Sequence, residues 1–285
     1  MRIVLIGDIQ LGRLFNEKRA SFNPYSSCIK NMLNHADMVV GNLETTITNH
    51  TIKTPKTFNY RMNPAHGHWL QQISLTHANL ANNHILDFGV TGMRDTQFYL
   101  DKLGIGYAGS GDNIEAASRL QIYTYLKDYK IGIMGAADHY KDWAATKNSP
   151  GINYFDLTSP SKLIQHVKKA REKVDFLIVC LHWGSNYMDA IPNSMRALGY
   201  KLIDAGANII HGTSAHHILP VESYRGGLII YSNGDFIDDY AVDPNYRNDL
   251  GMMVTLDADL KTGNLNNIQT IPTIIKDMKV DILIG

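Results

Sequence analysis

MRIVLIGDIQ, residues 1–10, runs Ile3, Val4, Leu5 and Ile6 into Gly7 and then places a carboxylate, Asp8. A Val/Ile-rich run this short reads as a buried strand rather than a helix. The same layout recurs along the chain. DMVVGNLE (37–44) ends on Glu44, ISLTHANLANNH (73–84) on His84, and DFLIVCLHWG (175–184) carries His182. ANIIHGTSAHH (207–217) brings His211, His216 and His217, and LIIYSNGDF (228–236) brings Asn233 and Asp235. Polar side chains thus gather at the carboxyl ends of several strands, where open α/β sheets place their sites. Asp, Glu, Asn and His are ligands of divalent metals, and a dinuclear hydrolase needs about that set.

Composition narrows the class. The chain has 285 residues, 44% hydrophobic and 19% charged, as in ordinary globular proteins. Lys+Arg and Asp+Glu balance at 27 each, so there is no bulk positive field of the kind nucleic acid requires. The two cysteines, Cys28 and Cys180, give no disulfide framework, and Cys180 reads as a buried free thiol. No run of about eighteen apolar residues and no signal-peptide core is present. The expectation is a soluble, cytoplasmic chain, or an extracytoplasmic one if a signal or anchor has been removed.

Strands and helices alternate, which favours α/β. Helices are expected at 24–35, with Pro24 in the first turn, and at 64–72, 90–103, 161–173 and 193–205. Gly104 and Gly206 stop two of them. Strands are expected at 37–41 and 73–77, and a hairpin joins 121–126 to 131–135. The stretch 45–63 reads as an excursion over the sheet edge, and the part from Gly227 onward as mostly short strands. Lys168, Lys169, Arg171 and Lys173 form a solvated helix face. One domain over 1–285 is expected, with two sheets face to face and helices outside.

Read in order, the strand ends resemble the bacterial capsule-synthesis (CapA-type, poly-γ-glutamate biosynthesis) family, a branch of the calcineurin-like metallophosphoesterase superfamily. The matching pieces are GDIQLGR (7–13), GNLET (41–45), FNYRMNP (58–64), LANNHILDFGVTGMRDT (80–96), LHWGSNY (181–187), HGTSAHHILPVESYRG (211–226) and YSNGDFIDDY (231–240). They span most of the chain. The resemblance implies a four-layer α/β/β/α sandwich and one or two divalent metal ions (Mn, Mg, Zn or Fe).

It also implies roles. Asp8 matches the first metal ligand and Glu44 the bridging carboxylate, with Asn42 able to orient it. Asn83 supplies a neutral oxygen, and His182 and His216 supply imidazoles. His84 is the candidate general acid, since its ordinary pKa lies near neutrality, and Asp87 is its orienting partner. His211 and His217 are alternates to His216. Asn233 and Asp235 either ligate a metal themselves or, like Asp239, orient a ligand histidine or cap a turn. Trp183 is either a wall of the site or core.

Two positions depart from the superfamily pattern: Gln10 and Thr213 stand where imidazoles are usual. Neither suits zinc- or iron-type metals as well as a neutral imidazole. Either the site holds one metal well and a second loosely, or oxygen ligands favour Mn²⁺ or Mg²⁺; Gln10 either ligates a metal or supports a ligand, and His211 can stand in for the missing imidazole. Arg61, with Lys53 and Lys56 nearby, can hold a carboxylate or phosphate by two parallel hydrogen bonds. The expected substrate is therefore an anionic small molecule or polymer. Two functions fit: a metal-dependent hydrolase of a phosphoester or γ-glutamyl-type polymer or precursor, and a non-catalytic accessory or binding subunit for an anionic polymer.

Overall fold

Strand Phe176–His182 is buried on both faces, and its alternation gives the layering. Phe176, Ile178 and Cys180 join one apolar cluster with Ile3, Leu5, Val40 and Ile230. Leu177, Val179 and Leu181 join another with Leu163 and Val167 of helix Ser161–Arg171 and Leu198 and Leu202 of helix Asn193–Asp204. Val4, Ile6 and Val39 face a third cluster, with Ile29 and Leu33 of helix Ser27–Asn34 and Met93 and Leu100 of helix Gly89–Leu103. Three apolar interfaces separate four layers: helices, sheet, sheet, helices. The computed structural model, which describes residues 1–19 and 21–283, is therefore the expected α/β/β/α sandwich.

In the first sheet, Arg2–Ile9, Met38–Leu43, His77–Asn79 and Gly106–Ala108 run parallel in that order. Leu250–Ala258 pairs antiparallel on the far side of Arg2–Ile9. In the second, Tyr129–Ala137, Phe176–His182, Ile209–Thr213 and Gly227–Asn233 are parallel, with antiparallel strands at both edges.

Several boundaries differ from expectation. The helix begins at Ser27, capped by the Ser26 hydroxyl, rather than at Pro24. The expected strand at 73–77 is displaced to His77–Asn79. Ser74 has φ +49°, outside the extended range of a regular strand, and Ile73 and Leu75 fill the outer core. His84 consequently follows the strand on a loop rather than ending it. Beyond Gly227 the strands are not all short, since Leu265–Lys276 spans 12 residues. It is largely exposed, so burial imposed no alternation on its sequence.

One irregularity aims the site. Ile3 and Leu5 point between the sheets, so parity alone would send Asp8 outward. The register slips between Leu5 and Asp8, and Asp8 comes level with Asn42, on the inner side. Gly7 permits it: a Cβ there would lie 1.8 Å from Gly234 O, and Asp8 N donates to that same oxygen at 3.1 Å. The contact carries Asp235–Ile237 alongside the first strand and sets Asp8 level with Asp235.

Candidate metal centre

Asn42 is the hub of the rim. Its Oδ1 accepts from Asn79 Nδ2 at 3.0 Å and Asn82 Nδ2 at 3.2 Å, which fixes the amide's orientation. Its Nδ2 therefore faces the carboxylates, donating to Asp8 Oδ1 at 2.7 Å and Glu44 Oε2 at 3.4 Å. Parallel strand ends bring these residues level, since Asp8 pairs with Asn42 and Asn42 with Asn79. From the facing sheet comes His182, whose Nδ1 lies 3.3 Å from Thr213 Oγ1. The same Nδ1 lies 3.3 Å from Asn42 Nδ2, while the Thr213 hydroxyl also reaches Leu181 O at 3.4 Å, so both neighbours meet the ring at Nδ1 and Nε2 is left bare. Thr213 thus supplies no imidazole but, with Asn42, holds one from behind.

Three donor atoms of these residues are left unpartnered. His182 Nε2, Glu44 Oε1 and Asn83 Oδ1 are buried and meet no hydrogen-bond partner among the described residues. His182 Nε2 and Glu44 Oε1 stand 4.0 Å apart, within the span that two ligands each roughly 2.0–2.2 Å from one ion can reach. Asp8, Glu44 and His182 offer atoms within 4.8 Å of one another, and so do Asp8, His216 and Asp235. The carboxylate common to both groups is Asp8, whereas the resemblance had placed Glu44 in the bridging position. Buried polar atoms normally have partners, so this set fits divalent cations.

Electrostatics agree. Burial raises the Asp8 carboxyl, with His216 opposing. Burial, then the neighbouring Asp8 and Asp235, pushes Glu44 well above the usual carboxylate range. Burial, then Asp8, does the same to Asp235. Burial, then His139 and His216, drives the His182 imidazole well below its ordinary value. A cation among them reverses this by favouring carboxylate anions and neutral imidazoles.

His84 occupies the other wall. Its Nδ1 donates to Asp87 Oδ2 at 2.6 Å and its Nε2 lies 3.8 Å from Glu44 Oε1. Asp87 is held on three sides: Tyr60 N donates to Oδ2 at 2.6 Å and Lys56 Nζ to Oδ1 at 2.8 Å. Lys56 also donates to Asn83 O and lies over Tyr140 and Trp143, 5.1 Å from each ring. Burial lowers the His84 imidazole to about 4, with the Asp87 hydrogen bond opposing.

Other candidates lie elsewhere. His211 donates from Nε2 to Ile6 O at 3.0 Å and is buried between the sheets. His217 Nε2 accepts from Met188 N at 3.1 Å, and its ring stacks on Tyr187. Asn233 donates to Leu5 O and Met252 O, tying the sheets together. Trp183 is core, stacked on Tyr231 with Nε1 donating to Tyr231 O. Gln10 is buried near Glu44 and opposes the rise in that carboxyl's pKa, while its Nε2 meets no hydrogen-bond partner among the described residues. Asp239 accepts from Leu14 N at 2.9 Å and pairs with Arg13.

A cleft of 760 Å³ opens onto the cluster, lined by Arg13, Lys56, Tyr60, His84, His139, Tyr187, His216 and Tyr240 among others. Arg61 lines a neighbouring pocket of 360 Å³ with Lys53 and Arg13, and donates to His50 O. The sequence reading missed His139, 4.9 Å ring to ring from His182. The signal was there: strand Tyr129–Ala137 runs two residues past its expected end, directly into Asp138 and His139. Among the described residues, no helix is long and apolar enough to cross a membrane.

A four-layer sandwich with metal-type donors at its carboxyl rim defines the class as metallophosphoesterase-like in fold. Within it, residues 2–240 match the family described as bacterial capsule synthesis protein PGA_cap, and the chain belongs to that family. It is 33% identical over 258 residues to a protein of Mycobacterium tuberculosis (strain ATCC 25618 / H37Rv) named "Probable polyglutamine synthesis accessory protein". That alignment covers 86% of this chain and 67% of the relative. The PGA biosynthesis protein CapA of Bacillus subtilis (strain 168) is 30% identical over 239 residues, covering 82% of this chain and 62% of that protein. The chain thus spans about two thirds of the length of these relatives. Among solved structures, a hypothetical protein from Thermus thermophilus aligns with TM-score 0.55 at 12% identity, covering 97% of this chain and 100% of that one, a likeness of fold.

Proposed function

We propose that the chain is a divalent-metal-dependent hydrolase of the capsule and poly-γ-glutamate biosynthesis family, acting on a phosphoester or a γ-glutamyl-type polymer or precursor. The observation that carries this reading is that Asp8, Glu44 and His182, with Glu44 Oε1 and His182 Nε2 bare and buried, offer atoms within 4.8 Å of one another, next to a cleft that Asn83 and His216 line. Asp8, Glu44, Asn83 and His182 would hold one ion, and Asp8 with His216 a second. When bound, such ions polarise the scissile group and activate water.

The remaining work falls to side chains in view. Arg13 and Lys56 line the cleft: the Arg13 guanidinium, one side of it paired with Asp239, receives an anionic group, and Lys56, held by Asp87, lends its wall positive charge. Lys53 and Arg61 stand in the adjoining pocket, where the next anion of a polymer would fall. His84 delivers a proton from Nε2 to the departing oxygen or nitrogen, while Asp87 holds Nδ1–H and keeps the ring aimed. An anion beside Nε2 favours the protonated ring and opposes the effect of burial.

A second reading, a binding subunit for an anionic polymer, is favoured by the cation–aromatic lining. Arg13 lies 5.7 Å from the Tyr240 ring, and Lys56 lies over Tyr140 and Trp143. Elemental analysis of the purified protein, then assay on an aryl phosphate and on polyglutamate, separates the two. Bound metal with turnover supports the hydrolase, and polymer binding without turnover on either substrate supports the subunit.

A further inference from the structure

Asp235 touches His216 as Asp87 touches His84, yet its surroundings are unlike. Its Oδ1 lies 2.8 Å from His216 Nδ1, a distance equally suited to a hydrogen bond and to two neighbouring ligands of one ion. The other end of the carboxylate decides. Among the described residues, the buried Asp235 Oδ2 and Asp238 Oδ2 meet no amide, hydroxyl or ammonium donor; what faces each is the other's carboxyl. Burial raises both carboxyls well above the usual carboxylate range, with Asp8 adding to it at Asp235 and Asp235 adding to it at Asp238. Asp8 lies level with Asp235 on the paired strand and adds a third carboxylate.

Charge points the same way. Lys56 answers Asp87 and Arg13 answers Asp239. Asp8, Glu44, Asp235 and Asp238, each at most 3% exposed, pair with no Lys or Arg among the described residues. Four buried carboxylates without a cation match the charge of two divalent ions, and an uncompensated buried charge costs several kcal/mol. His216 Nδ1 lies 3.7 Å from Asp8 Oδ2, so imidazole and both carboxylates look onto one point.

We infer that Asp235 is itself a ligand of the second cation rather than the orienting partner of His216, and that Asp238 stands behind it as the charge completing the position. The carboxylate then makes up for the imidazole missing at Thr213, and the oxygen-rich set takes a hard divalent ion such as Mn²⁺ or Mg²⁺. The inference rests on the metal reading above.

The test is titration of the chelator-stripped full chain with Mn²⁺ alone, followed by the paramagnetic signal of free Mn²⁺ and by calorimetry. Wild type should bind two ions. Asp235→Asn should keep one, and Asp238→Asn should keep both with the weaker at least about tenfold weaker, as for loss of a residue supporting a ligand. Melting temperature supplies an independent readout. Without metal, Asp235→Asn should melt above wild type because a repulsive charge is gone, and with Mn²⁺ it should melt below. Two ions of unchanged affinity in Asp235→Asn, or a melting temperature lowered equally with and without metal, would make Asp235 an orienting residue and overturn the inference while leaving the metal centre intact. A wild-type chain that binds no Mn²⁺ overturns the metal reading and the inference together.

Discussion

His84 and His216 each lie against a carboxylate, at 2.6 Å from Asp87 and 2.8 Å from Asp235, and the likeness ends there. Asp87 is saturated: an imidazole and a backbone amide on one oxygen, an ammonium on the other. Such a carboxylate is fixed in place and charge, and it can only position the ring beside it. Asp235 has a bare oxygen next to other bare carboxylates, so it still has a cation to accept. Distance between two side chains does not reveal their role; what the far atoms touch does.

The strongest way to break the comparison is to remove each histidine. His216→Ala should lower both metal content and turnover, because it removes a donor to the centre. Its effect on turnover should exceed that of His84→Ala, for which about 10²–10⁴-fold is expected, with metal content unchanged. The His84→Ala penalty should shrink for aryl phosphates with good leaving groups, which need little protonation. Equal metal loss in both variants, measured by elemental analysis, would erase the distinction between the pairs.

Lys56→Met sharpens the comparison from the other side. It leaves Asp87 buried with its imidazole and amide but without its cation, giving it the unanswered charge that Asp235 has. Breaking a buried ion pair this way costs roughly 3–5 kcal/mol, and the Lys56 side chain, 10% exposed, should fall at the low end. Chemical denaturation should show the loss, and Lys56→Met combined with Asp87→Asn should recover much of it. A single variant as stable as wild type would mean that Asp87 does not need its cation.

Much of this was legible in the sequence. Asp8, Glu44, His182 and His216 follow apolar runs, and a strand's end is marked by its composition. The four layers follow from strands apolar on both faces. Parity also contained an answer not taken from it: His211 shares a face with Ile209, which packs between the sheets, so it could not reach the rim. What was illegible has physical causes. Asp8 turns inward only because of a register slip, which leaves no trace beyond Gly7. Lys56 comes from the aperiodic excursion 45–63, where no period reports direction. Asp238 sits in a loop of three aspartates whose burial depends on the first strand beside it.

A third histidine marks the zero of the comparison. His77 is buried between the sheets, with Nδ1 2.7 Å from Tyr123 Oη and no carboxylate against it among the described residues. Burial, with His211 adding repulsion, lowers its imidazole to about 3. The sign follows from linkage. Below about 6.5 the unfolded chain takes up a proton that the folded His77 refuses, so the folded state loses about 1.4 kcal/mol per pH unit as pH falls toward 3. Above about 6.5 both states are neutral at this position and nothing is lost. His77→Leu should therefore leave stability near neutrality changed only by its packing cost, since Tyr123 Oη retains Thr76 O at 3.3 Å. Between pH 4 and 6 it should flatten the dependence of unfolding free energy on pH by about one proton, measured by urea titration at several pH values. Metal added at any of these pH values should leave that difference between variant and wild type unchanged, because His77 lies apart from the rim. A variant whose acid slope equals that of wild type would mean that His77 takes up its proton in the folded state. Buried position alone would then not keep an imidazole neutral in this protein, and the bare Nε2 of His182 would need a reason other than burial.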